Sequence, residues 1–207
     1  MLVHVPTLGA SVPKRGGPVT RTLGRVLMTL AGWRFEGAFP DLPKFVIIVA
    51  PHTSNWDFLV GMRAVFALGL RASFIAKHTL FRGPAGAWLR HMGGIAVERA
   101  APHGVVDQVV RRFREREGFL VALTPSGTRR SGAAWRMGFY HFALGASVPI
   151  VPVAFDYAAR VIRIGAPLGL GGDPERDLEP LRRFYSGVQG SRGEPYVPRF
   201  PDGKEAG

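Results

Sequence analysis

Three short runs of apolar, largely β-branched residues constrain the fold of this chain more than any other feature: Phe-Val-Ile-Ile-Val-Ala at 45–50, Phe-Leu-Val-Ala-Leu-Thr at 119–124 and Val-Pro-Ile-Val-Pro-Val-Ala-Phe at 148–155. None alternates apolar with polar residues, so each reads as a strand covered on both faces. Helical patterns separate them. Over 102–117, Val105, Val106, Val109, Val110 and Phe113 line one face, charges from Arg111 to Glu117 occupy most of the rest, and Gly118 is a stop signal. Residues 55–70 and 83–91 read as further helices, 71–77 and 94–98 as strands, and 160–165 as an outer strand. Asp173 caps a last helix, with Pro174 at its first position. Strands alternating with helices predict an α/β fold: a single domain with a mixed, largely parallel central sheet flanked by helices.

The domain is expected over 19–186. Residues 1–18, with three prolines and three glycines, read as a flexible N-terminal arm, and 187–207 as an irregular C-terminal tail. Residues 21–33 form a short helix in which Leu23, Val26, Leu27 and Leu30 recur at helical spacing beside Arg21, Arg25 and Arg34. That pattern suits a helix lying in a membrane interface, and equally one packed on a core. The longest stretch without formal charge, 137–155, is broken by Gly145, Pro149 and Pro152, and reads as a helix followed by a buried strand rather than a bilayer span. No secretory signal opens the chain: Lys14 and Arg15 follow the apolar stretch at 2–8 instead of preceding it.

The chain has no cysteine, which removes disulfides, thiolate metal sites and cysteine nucleophiles. Twenty-seven Lys and Arg against 15 Asp and Glu leave a net charge of +12, so an anionic partner is expected: nucleic acid, an anionic membrane surface or a phosphorylated substrate. No phosphate-binding P-loop, dinucleotide-binding glycine pattern or G-x-S-x-G elbow is present.

Chemistry concentrates in Pro51-His52-Thr53-Ser54-Asn55-Trp56-Asp57. A buried strand ends at Pro51; Ser54 is a natural N-cap, with Asp57 three residues on in a capping-box-like arrangement. His52 then sits in the strand-to-helix loop and Asp57 in the first helical turn. Five residues on a continuous helix lie about 140° apart, but across a loop and a helix start the two side chains can face each other. Asp57 would then fix the imidazole tautomer and leave the other nitrogen as base for a substrate hydroxyl. The plainer reading is a cap and a loop histidine.

The block from His52 to Asp57, set after a buried strand, resembles the first motif of the glycerolipid acyltransferases, the lysophospholipid (1-acylglycerol-3-phosphate, PlsC-like) acyltransferase family. Three more blocks follow in that family's order: Gly93-Gly94-Ile95-Ala96-Val97-Glu98-Arg99, Thr124-Pro125-Ser126-Gly127-Thr128-Arg129 and Val148-Pro149-Ile150-Val151-Pro152-Val153. Together they span about half the chain. The resemblance implies a glycerol-3-phosphate acyltransferase-like fold and transfer of an acyl chain from acyl-CoA or acyl carrier protein, as co-substrate, to a lysophospholipid or glycerol phosphate hydroxyl. It implies His52 as base and Asp57 as its orienting acid, with no bound cofactor, no metal and no acyl-enzyme. It further implies that Arg99 and Arg129 hold the acceptor's phosphate, with Ser126, Gly127 and Thr128 alongside, and that the protein lies peripherally on the cytoplasmic face of the cell membrane. A guanidinium suits a phosphate because its fork pairs two oxygens at once.

Ser126 departs from the family, which usually has glutamate there. An altered acceptor, a substitute for the lost carboxylate, or a weak or inactive enzyme each follows from that change. A non-catalytic lipid-binding relative is therefore one alternative. A basic nucleic-acid binder is another, though the arginines are dispersed and no nucleic-acid motif appears. Lys77 and Arg82 suit a membrane surface or the donor's phosphates, or plain solvent. Trp88, Trp135, Phe139 and Phe142 suit a core or an acyl tunnel, core being the default for aromatics at helical spacing.

Overall fold

The computed structural model describes residues 2–97, 102–128 and 133–200. It contains seven strands: β1 (Arg34–Glu36), β2 (Lys44–Ala50), β3 (Ser73–Lys77), β4 (Gly94–Val97), β5 (Phe119–Leu123), β6 (Ile150–Asp156) and β7 (Val161–Ile164). Its α-helices are α1 (Pro18–Leu30), α2 (Trp56–Leu68), α3 (Gly83–His91), α4 (Pro102–Glu115), α5 (Gly138–Ala146) and α6 (Pro174–Tyr185), with a 3-10 turn at His78–Phe81.

The strands form one sheet in the order β1-β7-β6-β2-β5-β3-β4. All neighbouring pairs are parallel except β6–β7. This is the expected mixed, largely parallel α/β sheet. The central strand β2 divides its side chains between two cores. Val46, Ile48 and Ala50 join Phe113, Phe119, Trp135, Phe139 and Tyr185 on one face. Phe45 and Ile47 join Met28, Val60, Ala64 and Phe155 on the other. Burial on both faces explains why β2 carries a continuous apolar run.

Helix α1 packs closely on α2. A Cβ on Gly24 would stand 2.3 Å from the Ala67 amide nitrogen, so only glycine admits this approach. The two helices run antiparallel: the start of α1 lies beside Gly69, just past the end of α2, and the segment after α1 reaches the residues that follow β6.

The segments at 2–17 and 187–200 are irregular but docked on the domain. Val5, Leu8 and Val12 are buried, the Arg15 amide donates to the Gly69 carbonyl, and the Arg71 amide donates to that of Pro13. Val188 is buried after α6, and Tyr196 and Phe200 pack on the core, where the Trp135 indole donates to the Tyr196 hydroxyl at 2.5 Å. Both segments carry enough apolar side chains to join the two cores, which their proline and glycine content conceals. β1, a three-residue edge strand, had no sequence signal.

Candidate active site

The parallel register of β2, β5 and β6 brings the first and third sequence blocks to one edge, beside the residues that follow the strand carrying the fourth. Ile48 lies opposite Leu123, and Ala50 opposite Ala154. The loops that leave these strands, beginning at Pro51, Thr124 and Tyr157, therefore emerge side by side at the carboxyl ends of the strands. In open α/β sheets ligands bind at this edge.

Pro51 is buried and preceded by a cis peptide bond. Between it and α2 lie His52, Thr53 and Ser54. The N-cap of α2 is Asn55, without a side-chain cap, rather than Ser54 as the capping-box spacing predicted. The reason is that the box forms only by halves. Asp57 accepts the Ser54 amide at 2.8 Å, as the acidic member of a box should, but the Ser54 hydroxyl accepts the Trp56 amide at 3.1 Å instead of that of Asp57.

Asp57 is only 3% exposed and gathers four donors. Its Oδ2 accepts the Thr53 and Ser54 amides at 2.8 Å each and stands 3.2 Å from His52 Nδ1. Its Oδ1 accepts the Tyr157 hydroxyl at 2.5 Å. Burial by itself would raise the carboxyl's pKa, yet the bonds from His52, Tyr157 and the Ser54 amide together outweigh it, and the pKa falls below its ordinary value. Asp57 is thus an anion held in the interior, facing an imidazole whose side chain is 20% exposed.

The structure brings His52 and Asp57 together as the spacing suggested. Ser126, Gly127 and Thr128 follow β5 on the same edge. Gly127 has φ of +60°, and its amide donates to the Thr124 carbonyl, so the glycine answers a tight turn. The Ser126 hydroxyl donates to the Thr128 carbonyl at 2.9 Å, bracing that turn. Arg99 and Arg129 lie outside the described residues. The amides of Thr53, Ser54, Trp56 and Gly127, natural donors for a developing oxyanion, are already engaged by protein acceptors. Trp135, Phe139 and Phe142 are core residues, whereas Trp88, Lys77 and Arg82 face solvent.

No local sequence pattern marks Tyr157. Its signal was topological: it follows the apolar fourth block, and pairing of that strand with the one before His52 would put it beside Asp57.

The family described as Acyltransferase matches residues 40–156, more than half the chain. A 1-acyl-sn-glycerol-3-phosphate acyltransferase of Haemophilus influenzae is 28% identical over 151 residues, covering 68% of this chain and 61% of that protein. Its Escherichia coli namesake is 26% identical over 162 residues, covering 73% and 64%. The chain therefore spans less than two thirds of the length of these curated relatives. The crystal structure of the 1-acyl-sn-glycerophosphate (LPA) acyltransferase PlsC from Thermotoga maritima aligns with a TM-score of 0.53 at 16% identity, covering 77% of this chain and 72% of that one, a likeness of fold.

Proposed function

The chain belongs to the acyltransferase family, and from that membership we propose that it moves an acyl chain from an acyl thioester, acyl-CoA or acyl carrier protein, to the hydroxyl of a lysophospholipid or related glycerolipid. The observation that carries the reading is the His52–Asp57 contact of 3.2 Å at the carboxyl end of the central strand. With Nδ1 turned to a carboxylate that already accepts two amides, the proton stays on Nδ1 and Nε2 is the free base. Nε2 takes the proton of the acceptor hydroxyl as its oxygen attacks the thioester carbonyl. The C–S bond then breaks, and the imidazolium returns the proton to the leaving thiolate. Asp57 stabilises the imidazolium in between. The test is to incubate the purified protein with labelled acyl thioester and lysophosphatidate; absence of labelled diacyl product across donors and acceptors would remove the reading.

Ser126 is proposed to set the acceptor. With glutamate absent, a headgroup other than a bare phosphate is favoured. The ratio of kcat/KM between lysophosphatidate and a lysophospholipid with a larger headgroup is expected to move by about tenfold in Ser126→Glu, a change of about 1.4 kcal/mol. An unchanged ratio would take Ser126 out of acceptor choice.

Membrane contact is proposed through α1. At 100° per residue, Val19, Leu23 and Leu30 fall within about 40° of one another. They are 82%, 54% and 79% exposed, on the side away from the buried Gly24 and Met28. Arg21, Arg25 and Thr22 occupy the remaining sector and are exposed too. Among the described residues no helix is long and apolar enough to cross a membrane. A helix with one packed and one bare apolar stripe suits the interface of an anionic bilayer. The paired change Leu23→Glu and Leu30→Glu should weaken flotation with phosphatidylglycerol vesicles by about tenfold or more, given the worth of burying two leucines. Undiminished flotation would count against α1 as the contact.

A further inference from the structure

Asp57 has two carboxylate oxygens, and the imidazole uses only one of them. Oδ2 meets His52 and the two amides; Oδ1 meets Tyr157. We propose that Tyr157 is a positioning residue of the His52–Asp57 pair, its phenol holding Oδ1 so that Oδ2 stays on the imidazole. The inference rests on the reading of His52 as base.

Four observations support it. The contact, at 2.5 Å, lies in the range of charge-assisted O–H···O bonds, which are roughly twice as strong as neutral ones. Tyr157 is itself held from two further directions: its ring packs edge-on against Trp33 at 4.9 Å and 88°, and its amide donates to the Gln189 carbonyl at 3.0 Å. The phenol therefore reaches Asp57 from a fixed base, one hundred residues away in sequence. The loop beyond Gln189 also braces the site: Ser191 and Thr53 share a hydroxyl–hydroxyl bond at 2.9 Å, and a Cβ on Gly190 would press on Thr53 and Pro51. Finally, burial, then the bond to Asp57 and its charge, push the phenol's pKa well up, so it remains a neutral donor wherever the enzyme works.

The ring has a second consequence. A cleft of about 440 Å³ is lined by Tyr157, Trp33, Arg160, Gln189 and Ser191, with neither His52 nor Asp57 in its walls. The tyrosine stands between that open space and the buried carboxylate. Phenylalanine at this position keeps the barrier and removes only the donor, whereas alanine removes both.

Among the described residues, the ionisable groups bonded to Asp57 are His52, from its own loop, and Tyr157, from the end of β6. Losing the phenol's proton leaves more charge on the carboxylate, which pulls harder on the imidazolium. For Tyr157→Phe, kcat should fall about tenfold, the equivalent of one bond to a charged group. KM should stay within about twofold, and the acidic limb of the pH–rate profile should move to higher pH. Tyr157→Ala should lose more than Tyr157→Phe. Wild type and His52→Ala are measured beside them. If His52→Ala is as active as wild type, the base assignment falls and this inference with it. If His52→Ala is inactive but Tyr157→Phe keeps its kcat and its acidic limb, the base stands and the tyrosine's role is refuted. A lowered kcat with an unmoved limb and a depressed melting temperature would likewise refute it, since that pattern marks loosened packing.

Discussion

Alanine at position 52 should reduce acyl transfer by about a thousandfold, the scale of a lost general base, and leave the fold in place. The two halves of this expectation have separate origins. The chemical half follows from the proposed step: without Nε2, the group assigned to take the hydroxyl proton as the thioester is attacked is gone. The structural half follows from the donors on Asp57. The Thr53 and Ser54 amides and the Tyr157 hydroxyl remain on the carboxylate when the imidazole is gone, so no buried charge is left bare. His52 itself is partly exposed, and its removal should cost about 1 kcal/mol or less of stability. Transfer of labelled acyl chains and a thermal melt, on the same preparation, check both halves. Full activity in His52→Ala would show that another group is the base.

Asp57→Asn should lower turnover by about a hundredfold or more and also destabilise the protein, by about 2 kcal/mol at neutral pH. An asparagine can keep much of the geometry. Its oxygen can take the place of Oδ2, still accepting the two amides and the imidazole, while its NH₂ faces the Tyr157 oxygen, which can accept. What it cannot supply is the negative charge that stabilises the imidazolium and strengthens each bond. The stability loss carries a pH signature. The carboxyl of Asp57 is lowered in the folded state, so its ionisation contributes stability that is fully present above the unfolded value of about 3.9 and is lost as pH falls through the folded value. The gap between wild type and Asp57→Asn should therefore be constant near neutrality and shrink in acid below about pH 4. Denaturant titrations at pH 7 and pH 3 measure it. A gap that does not change with pH would mean that the carboxylate's charge has no part in holding this loop.

Much of the architecture is legible in the amino-acid sequence alone. The runs at 45–50, 119–124 and 148–155 contain β2, β5 and β6, each buried or half-buried along its length, because only strands covered on both faces can be apolar at every position. The helix over Pro102–Glu115 and the Asp173 cap with Pro174 behind it lie where periodicity and cap chemistry placed them. The His52–Asp57 pair was legible for a different reason: the turn after a strand and the first turn of the next helix are local structures, set by residues within a few positions of each other. What escaped was long-range or half-local. The Ser54 cap gave way to Asn55 because the Ser54 hydroxyl accepts the Trp56 amide rather than that of Asp57. The arm before α1 and the tail after α6 look irregular in composition, yet Val12 and Val188 are buried in the finished molecule.

The sequence by itself determined the class of the fold, the order of its elements and the loop that carries the chemistry, since each of these is written in the spacing of nearby side chains. The tertiary structure alone decided what faces Asp57. Tyr157 reaches it only because β2 and β6 pair in parallel with Ala50 opposite Ala154. No periodicity within either strand specifies that register; it arises when both faces of the sheet are buried together.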